Sequence, residues 1–153
     1  MLLVFLIKIK TTGHLMKLNT TFKLGALALS HRIVMPPLTR MRAGADGVPS
    51  PFASAYYAQR ATPGGLIIAE ATMGMEGNSA FWHEPGIYSE AQIAGWKKIT
   101  DAVHAKGGKI VIQLWHVGRI SHPSLLPNNA LPVAPSAIKP AGKAFTYQGL
   151  VDY

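Results

Sequence analysis

With 153 residues, 48% apolar and 14% charged, the chain has enough hydrophobic material for one ordinary core and too little charge for a disordered segment. Its formal net charge of +8 comes from basic residues scattered singly, apart from Lys97-Lys98, which argues against a nucleic-acid partner. Cys is absent, which excludes disulfides and thiolate metal sites and fits a reducing cytoplasm, and none of the six His has a zinc-ligand spacing, so no metal site is expected.

Met1 to Ile9 form an apolar run with a single Lys. The run is too short to span a bilayer, which takes about 20 residues, and it lacks the cationic start and A-x-A-like site of a secretory signal. No membrane association is expected. Met16 opens a more conventional stretch, so residues 1–15 are read as an extra segment ahead of a domain over 16–153.

From Leu18 to Leu29 the apolar residues Phe22, Leu24, Leu27 and Leu29 alternate around Gly25-Ala26, which predicts a hairpin closing one end of a larger fold. The run from His31 to Met35 reads as an apolar strand stopped by Pro36-Pro37, because proline cannot donate to a ladder. Ser50 followed by Pro51 is an N-cap with proline in the first helical position, and predicts a helix from Pro51 to Ala61 with Phe52, Ala55, Tyr56 and Gln59 at helical spacing. Pro63-Gly64-Gly65 ends it. Leu66 to Ala69 is a second buried strand, with Glu70-Ala71-Thr72 as its tip.

Met73 to Tyr88 is a long connection without either period, and long loops in compact domains tend to be functional. Ser89 and Gln92 form a capping box, and Ile93, Trp96, Ile99 and Val103 make an apolar stripe ending at Gly107. A β-branched run over 109–116 follows, read as a buried central strand whose end turns chemical at Gln113, Trp115 and His116. From 117 to 153 the prolines are frequent and neither strand nor helix is expected.

The order strand, helix, strand, helix, strand is the rhythm of a parallel sheet with right-handed crossovers, shared by doubly wound sheets and (β/α)₈ barrels. A dinucleotide-binding sheet should carry G-x-G-x-x-G at its first strand-to-helix turn, where this chain has Pro-Pro-Leu-Thr-Arg. The barrel is therefore expected, as its N-terminal portion with three of eight strands and an N-terminal hairpin. Barrels keep their active sites at the C-terminal ends of the strands, where all three strands here change character.

In order and spacing, four segments carry a resemblance: Leu29 to Arg40 (LSHRIVMPPLTR), Tyr56 to Ala61 (YYAQRA), Leu66 to Thr72 (LIIAEAT) and Val111 to Arg119 (VIQLWHVGR). Over about residues 18–150 the chain resembles the N-terminal part of the Old Yellow Enzyme family, flavin-dependent ene-reductases on a (β/α)₈ barrel. The resemblance implies noncovalent FMN, reduced by NADPH or NADH, and hydride transfer to an electron-poor alkene. It places Pro37, Leu38 and Thr39 near the flavin's reactive edge, the main chain of Ala71 in close approach, and Gln113 on the pyrimidine end. Trp115 would line the substrate pocket, and Thr39 and Trp115 are the two positions nearest to catalysis.

The residue types agree with that implication. A flavin edge presents donors and acceptors together, which suits an amide and a hydroxyl, as Gln113 and Thr39 supply. Gln113 and Trp115, two apart on a strand, share a face. Taken alone, Gln113 would be a satisfied structural amide and Trp115 a core side chain. His116, pointing away from Gln113, would be structural or would support the site from behind, His31, His83, His104 and His122 are surface or loop residues, and Glu70, opposite in face to Ala71, is expected to pair with an Arg.

Two departures qualify the resemblance. Phe81 stands where the family carries an active-site tyrosine, keeping the ring without the hydroxyl. Thr39, where one branch carries Cys, resembles the classical branch. The substrate-anchoring pair, the proton-donating Tyr and the phosphate site of the family have no counterpart in this sequence. The alternative reading is a truncated, catalytically silent fragment of such an enzyme.

Overall fold

The computed structural model describes residues 17–153; the expectations for the apolar start and for Met16 fall outside the described residues. The chain opens with an antiparallel hairpin, β1 (Phe22–Leu24) and β2 (Leu27–Leu29), turned at Gly25 with φ +57°. A parallel three-stranded sheet follows in the order β3 (Val34–Met35), β4 (Leu66–Met73), β5 (Lys109–Trp115). Helix α1 (Pro51–Ala58) connects β3 to β4, and α2 (Glu90–His104) connects β4 to β5.

Local chemistry explains both helices. Ser50 Oγ accepts from the Phe52 N–H, and Pro51 loses nothing at a position whose N–H has no intrahelical partner. Ser89 and Gln92 form the expected reciprocal capping box. Helix α1 ends at Ala58, short of the expected Ala61, and its buried side is different from the one expected. Tyr57 is buried, with Ala53 and Tyr56 packed beside it, whereas Phe52 is 83% exposed and Ala55 and Gln59 face solvent. In α2 the buried residues are Gln92, Trp96, Ile99 and Val103, while Ile93 is 45% exposed.

The core lies between sheet and helices. Tyr57, Ile67, Ala69, Trp96, Ile99 and Val103 form one buried cluster, with Ile110 and Ile112 of β5 against it. The Tyr57 and Trp96 rings lie 6.3 Å apart. Removing this much aliphatic and aromatic surface from water is the main stabilising term of the unit.

Three expectations about strands are corrected. The Glu70-Ala71-Thr72 tip lies inside β4, which runs on to Met73. The strand over 109–116 ends at Trp115 and is only half-buried, because it is an edge strand of the three and Leu114 remains 65% exposed. Residues 117–153 are not without structure. They hold three short 3₁₀ turns and a second hairpin, β6 (Lys143–Thr146) with β7 (Gly149–Asp152). Thr146 Oγ1 organises its turn, donating to Gly149 O and accepting from the Gln148 N–H. Among the described residues no helix is long and apolar enough to cross a membrane.

Candidate functional site at the C-terminal end of the sheet

β3 ends because Pro36 and Pro37 bring no N–H. The chain after it is open: Pro37 is half-buried, Leu38 is 46% exposed and Thr39 is exposed. Arg40 then returns to the sheet, where its backbone N–H donates to Glu70 Oε2 at 2.9 Å. Glu70 is thus held by the main chain of an Arg. Among the described residues the expected ion pair with an Arg side chain is not formed, and the Arg40 guanidinium lies over the Tyr56 ring, 4.8 Å from its centroid.

The other Glu70 oxygen, Oε1, accepts from the Tyr57 hydroxyl at 3.1 Å, and the same hydroxyl accepts from the Glu70 N–H at 3.1 Å. Burial raises both ionisations, that of Glu70 above the usual carboxylate range and that of Tyr57 above the usual phenol. Glu70 is also the extra residue of a β-bulge. Ala69 stands opposite Ile112, and Ala71 stands opposite Gln113. Ala69 and Ile112 pack toward the helices, so Ala71 and Gln113, the next pair, look out of the opposite face. Met73 and Trp115, two residues further on, make the next pair on that face.

Ala71 is buried, and Gln113 is exposed, its amide without a partner among the described residues. Trp115 is half-buried, and its ring stacks on Phe81 with centroids 6.1 Å apart and planes 14° from parallel. The Trp115 Nε1 is buried without an acceptor among the described residues. Of the expected residues, Ala71, Gln113 and Trp115 are therefore brought together on one face. Pro37, Leu38 and Thr39 reach the same end of the sheet through the Arg40–Glu70 bond, with no hydrogen bond from Thr39 to Ala71 or Gln113 among the described residues. His116 lies beyond the strand and accepts from the Gly118 N–H through Nδ1.

The loop over 74–88 supplies what sequence reasoning missed. It returns onto β4, with the Met73 N–H donating to Pro85 O and the Ile87 N–H to Met73 O, both at 2.9 Å. Buried Asn78 clasps the end of β5: its Nδ2 donates to Trp115 O at 2.7 Å and its Oδ1 accepts from the Val117 N–H at 2.8 Å. Glu84, also buried, accepts through Oε2 from Ser79 Oγ, the Ala80 N–H and the Phe81 N–H. Burial raises its ionisation, the hydrogen bonds oppose the shift, and nearby Glu70 adds to it. The available signal was a single acid in the Trp82-His83-Glu84-Pro85-Gly86 run of a loop that is otherwise almost uncharged.

Chemically, this end of the sheet offers an uncommitted amide, an open hydroxyl, a small residue beside the amide, and a stacked aromatic wall. That set can hold a flat ligand with alternating donors and acceptors along one edge. No cluster of three metal-ligating side chains is present among the described residues.

The family model described as NADH:flavin oxidoreductase / NADH oxidase family matches residues 17–148. "12-oxophytodienoate reductase 7" of Oryza sativa subsp. japonica is 49% identical over 117 residues, 76% of this chain and 29% of that protein. "Flavin oxidoreductase hxnT" of Emericella nidulans is 48% identical over 131 residues, 83% of this chain and 34% of that one. The chain spans about a third of the length of these curated relatives. Among solved structures, morphinone reductase matches with a TM-score of 0.80 and 46% identity, over 88% of this chain and 37% of that one. The old yellow enzyme homologue of Zymomonas mobilis matches with a TM-score of 0.83 and 44% identity, over 90% and 38%. The fold is accordingly the N-terminal portion of a (β/α)₈ barrel with an N-terminal hairpin.

Proposed function

Because the chain belongs to the NADH:flavin oxidoreductase / NADH oxidase family, we propose that it supplies one wall of an FMN site in an NAD(P)H-driven reductase of electron-poor alkenes. The observation that carries this reading is the Ala71–Gln113 pair, which sets an amide without a partner among the described residues beside a methyl group at the C-terminal end of the sheet. The residues present fit the flavin. An exposed amide and the exposed Thr39 hydroxyl each give and accept a hydrogen bond, and a side chain as small as Ala71 leaves the main chain approachable.

FMN, when bound, supplies the hydride chemistry that amino acid side chains lack. Pro37, Leu38 and Thr39 hold one side of it, Ala71 admits it against β4, and Gln113 orients it from β5. Trp115 and Phe81 form an apolar wall that excludes water and limits the shape of the alkene. The proton donor and the anchor of the alkene's electron-withdrawing group are assigned to no residue of this chain. This chain alone is read as catalytically silent, in keeping with its covering about a third of its relatives.

Flavin spectroscopy tests the reading. The whole reductase to which this chain contributes one wall, produced with FMN, should copurify with a flavin absorbance band that NAD(P)H bleaches and 2-cyclohexenone restores. Absence of any bound flavin would end the proposal.

A further inference from the structure

The Phe81–Trp115 stack rests on Glu84, a loop residue outside the helices and strands. Residues 79–81 belong to no helix or strand, so the N–H groups of Ala80 and Phe81 have no ladder to enter. Both donate instead to Glu84 Oε2, at 2.9 and 3.2 Å, and Ser79 Oγ lies 2.9 Å from the same oxygen. N–H groups withdrawn from water need an acceptor, and this one oxygen serves two of them, the buried Ala80 N–H and the part-buried Phe81 N–H. Glu84 itself is 2% exposed and has no cation beside it among the described residues, so it is not there to make an ion pair.

The opposite side of the stack is fixed independently. Asn78 holds Trp115 O and the Val117 N–H, and Ser121 Oγ donates to Ser79 O. The Trp115 ring therefore has its backbone clamped from one end of the loop, and the Phe81 ring has its backbone clamped from the other by Glu84.

We propose that Glu84 is a positioning residue that acts through Phe81: by gathering the Ala80 and Phe81 N–H groups it sets the Phe81 ring against Trp115 and so shapes the alkene pocket. The inference rests on the reading of Trp115 as a pocket wall. Loss of the acceptor frees the buried Ala80 N–H and the part-buried Phe81 N–H, the loop re-forms to hydrate them, and Phe81 leaves the stack. Binding of the alkene then suffers more than the chemical step.

The test combines turnover with a readout that needs none, on the flavin-loaded whole reductase that contains this chain. Glu84→Ala should raise KM for 2-cyclohexenone about tenfold with kcat within about twofold, as expected for lost binding rather than lost chemistry. In a Phe81→Ala background the same change should add less than about twofold, because the two residues act as one unit. Glu84→Gln keeps an oxygen at the same reach and should restore wild-type KM, whereas Glu84→Asp, a methylene shorter, should behave like Glu84→Ala. Near-UV circular dichroism of the stacked rings, recorded without alkene, should weaken in Glu84→Ala and Glu84→Asp and persist in Glu84→Gln.

A full KM effect of Glu84→Ala persisting without Phe81, or wild-type behaviour of Glu84→Asp, would overturn the proposal. If the wild type turns over no enone, the functional reading fails while the dichroism still decides whether Glu84 sets the stack. If Glu84→Ala does not fold, the contrast between Glu84→Gln and Glu84→Asp carries the decision alone.

Discussion

Ala71 stands opposite Gln113 in the parallel register of β4 and β5 only because Glu70 is absorbed in a bulge one residue earlier. Without the bulge, Ala69 opposite Ile112 would be followed by Glu70 opposite Gln113, and a carboxylate would occupy the place beside the amide. The extra residue sends Glu70 to Tyr57 and Arg40 and gives the amide a methyl neighbour.

That register makes Ala71 sensitive to size. Ala71→Leu should lower flavin content sharply and, by overpacking a buried position, cost about 1–3 kcal/mol of stability. Ala71→Gly should leave flavin content unchanged. The ratio of flavin to protein absorbance, with a melting curve for each variant, separates the two effects.

Gln113 and Trp115 share a face but have different roles. Gln113→Ala should weaken FMN binding about tenfold, the scale of one lost hydrogen bond. Trp115→Ala should leave FMN bound and change the preference among alkenes of different bulk. Fluorescence titration with FMN and competition between two enones measure each; equal, negligible changes in both would remove them from the site.

Tyr57 couples α1 to the bulge through one hydroxyl that both donates and accepts. Tyr57→Phe leaves the Glu70 N–H and one carboxylate oxygen unpaired in the interior, so it should cost about 1–3 kcal/mol. Urea unfolding should show a lower midpoint with an unchanged slope. Flavin retention should fall as well, since the same bulge sets Ala71 beside Gln113.

Glu84 predicts a pH dependence of stability. Burial raises its ionisation above the ordinary 4.5, so between that value and its raised one the folded state holds a proton that the unfolded state has released. Unfolding free energy therefore contains a Glu84 contribution that is complete below about 4.5 and is lost as pH rises through the raised value. Glu84→Gln should flatten this part of the profile, and a steeper profile in the variant, by urea midpoints at successive pH values, would contradict the assignment.

Much of the fold was legible in short stretches of sequence. Ser50-Pro51 and Ser89 with Gln92 announce helix starts because caps act within one turn, and Pro36-Pro37 ends β3 because a missing N–H acts on the spot. The alternation of helix-forming and strand-forming segments sufficed for the βαβ order. Gln113 and Trp115 followed from a period of two along one strand. The β6–β7 hairpin was obscured by the proline-rich run before it, although the turn held by Thr146 and Gly149 is itself local.

What the sequence determined by itself, then, was where elements begin, what type they are and which residues could carry chemistry. Only the tertiary structure decided which of those residues meet. The bulge at Glu70, the Asn78 clasp on Trp115 and the docking of Arg40 on Glu70 all join groups at least 30 residues apart. Burial of polar groups forces such bonds, since an unpaired N–H or carboxylate in the interior is costly. The partner that relieves it is chosen by how β-strands and loops come together in space, a choice no local period records.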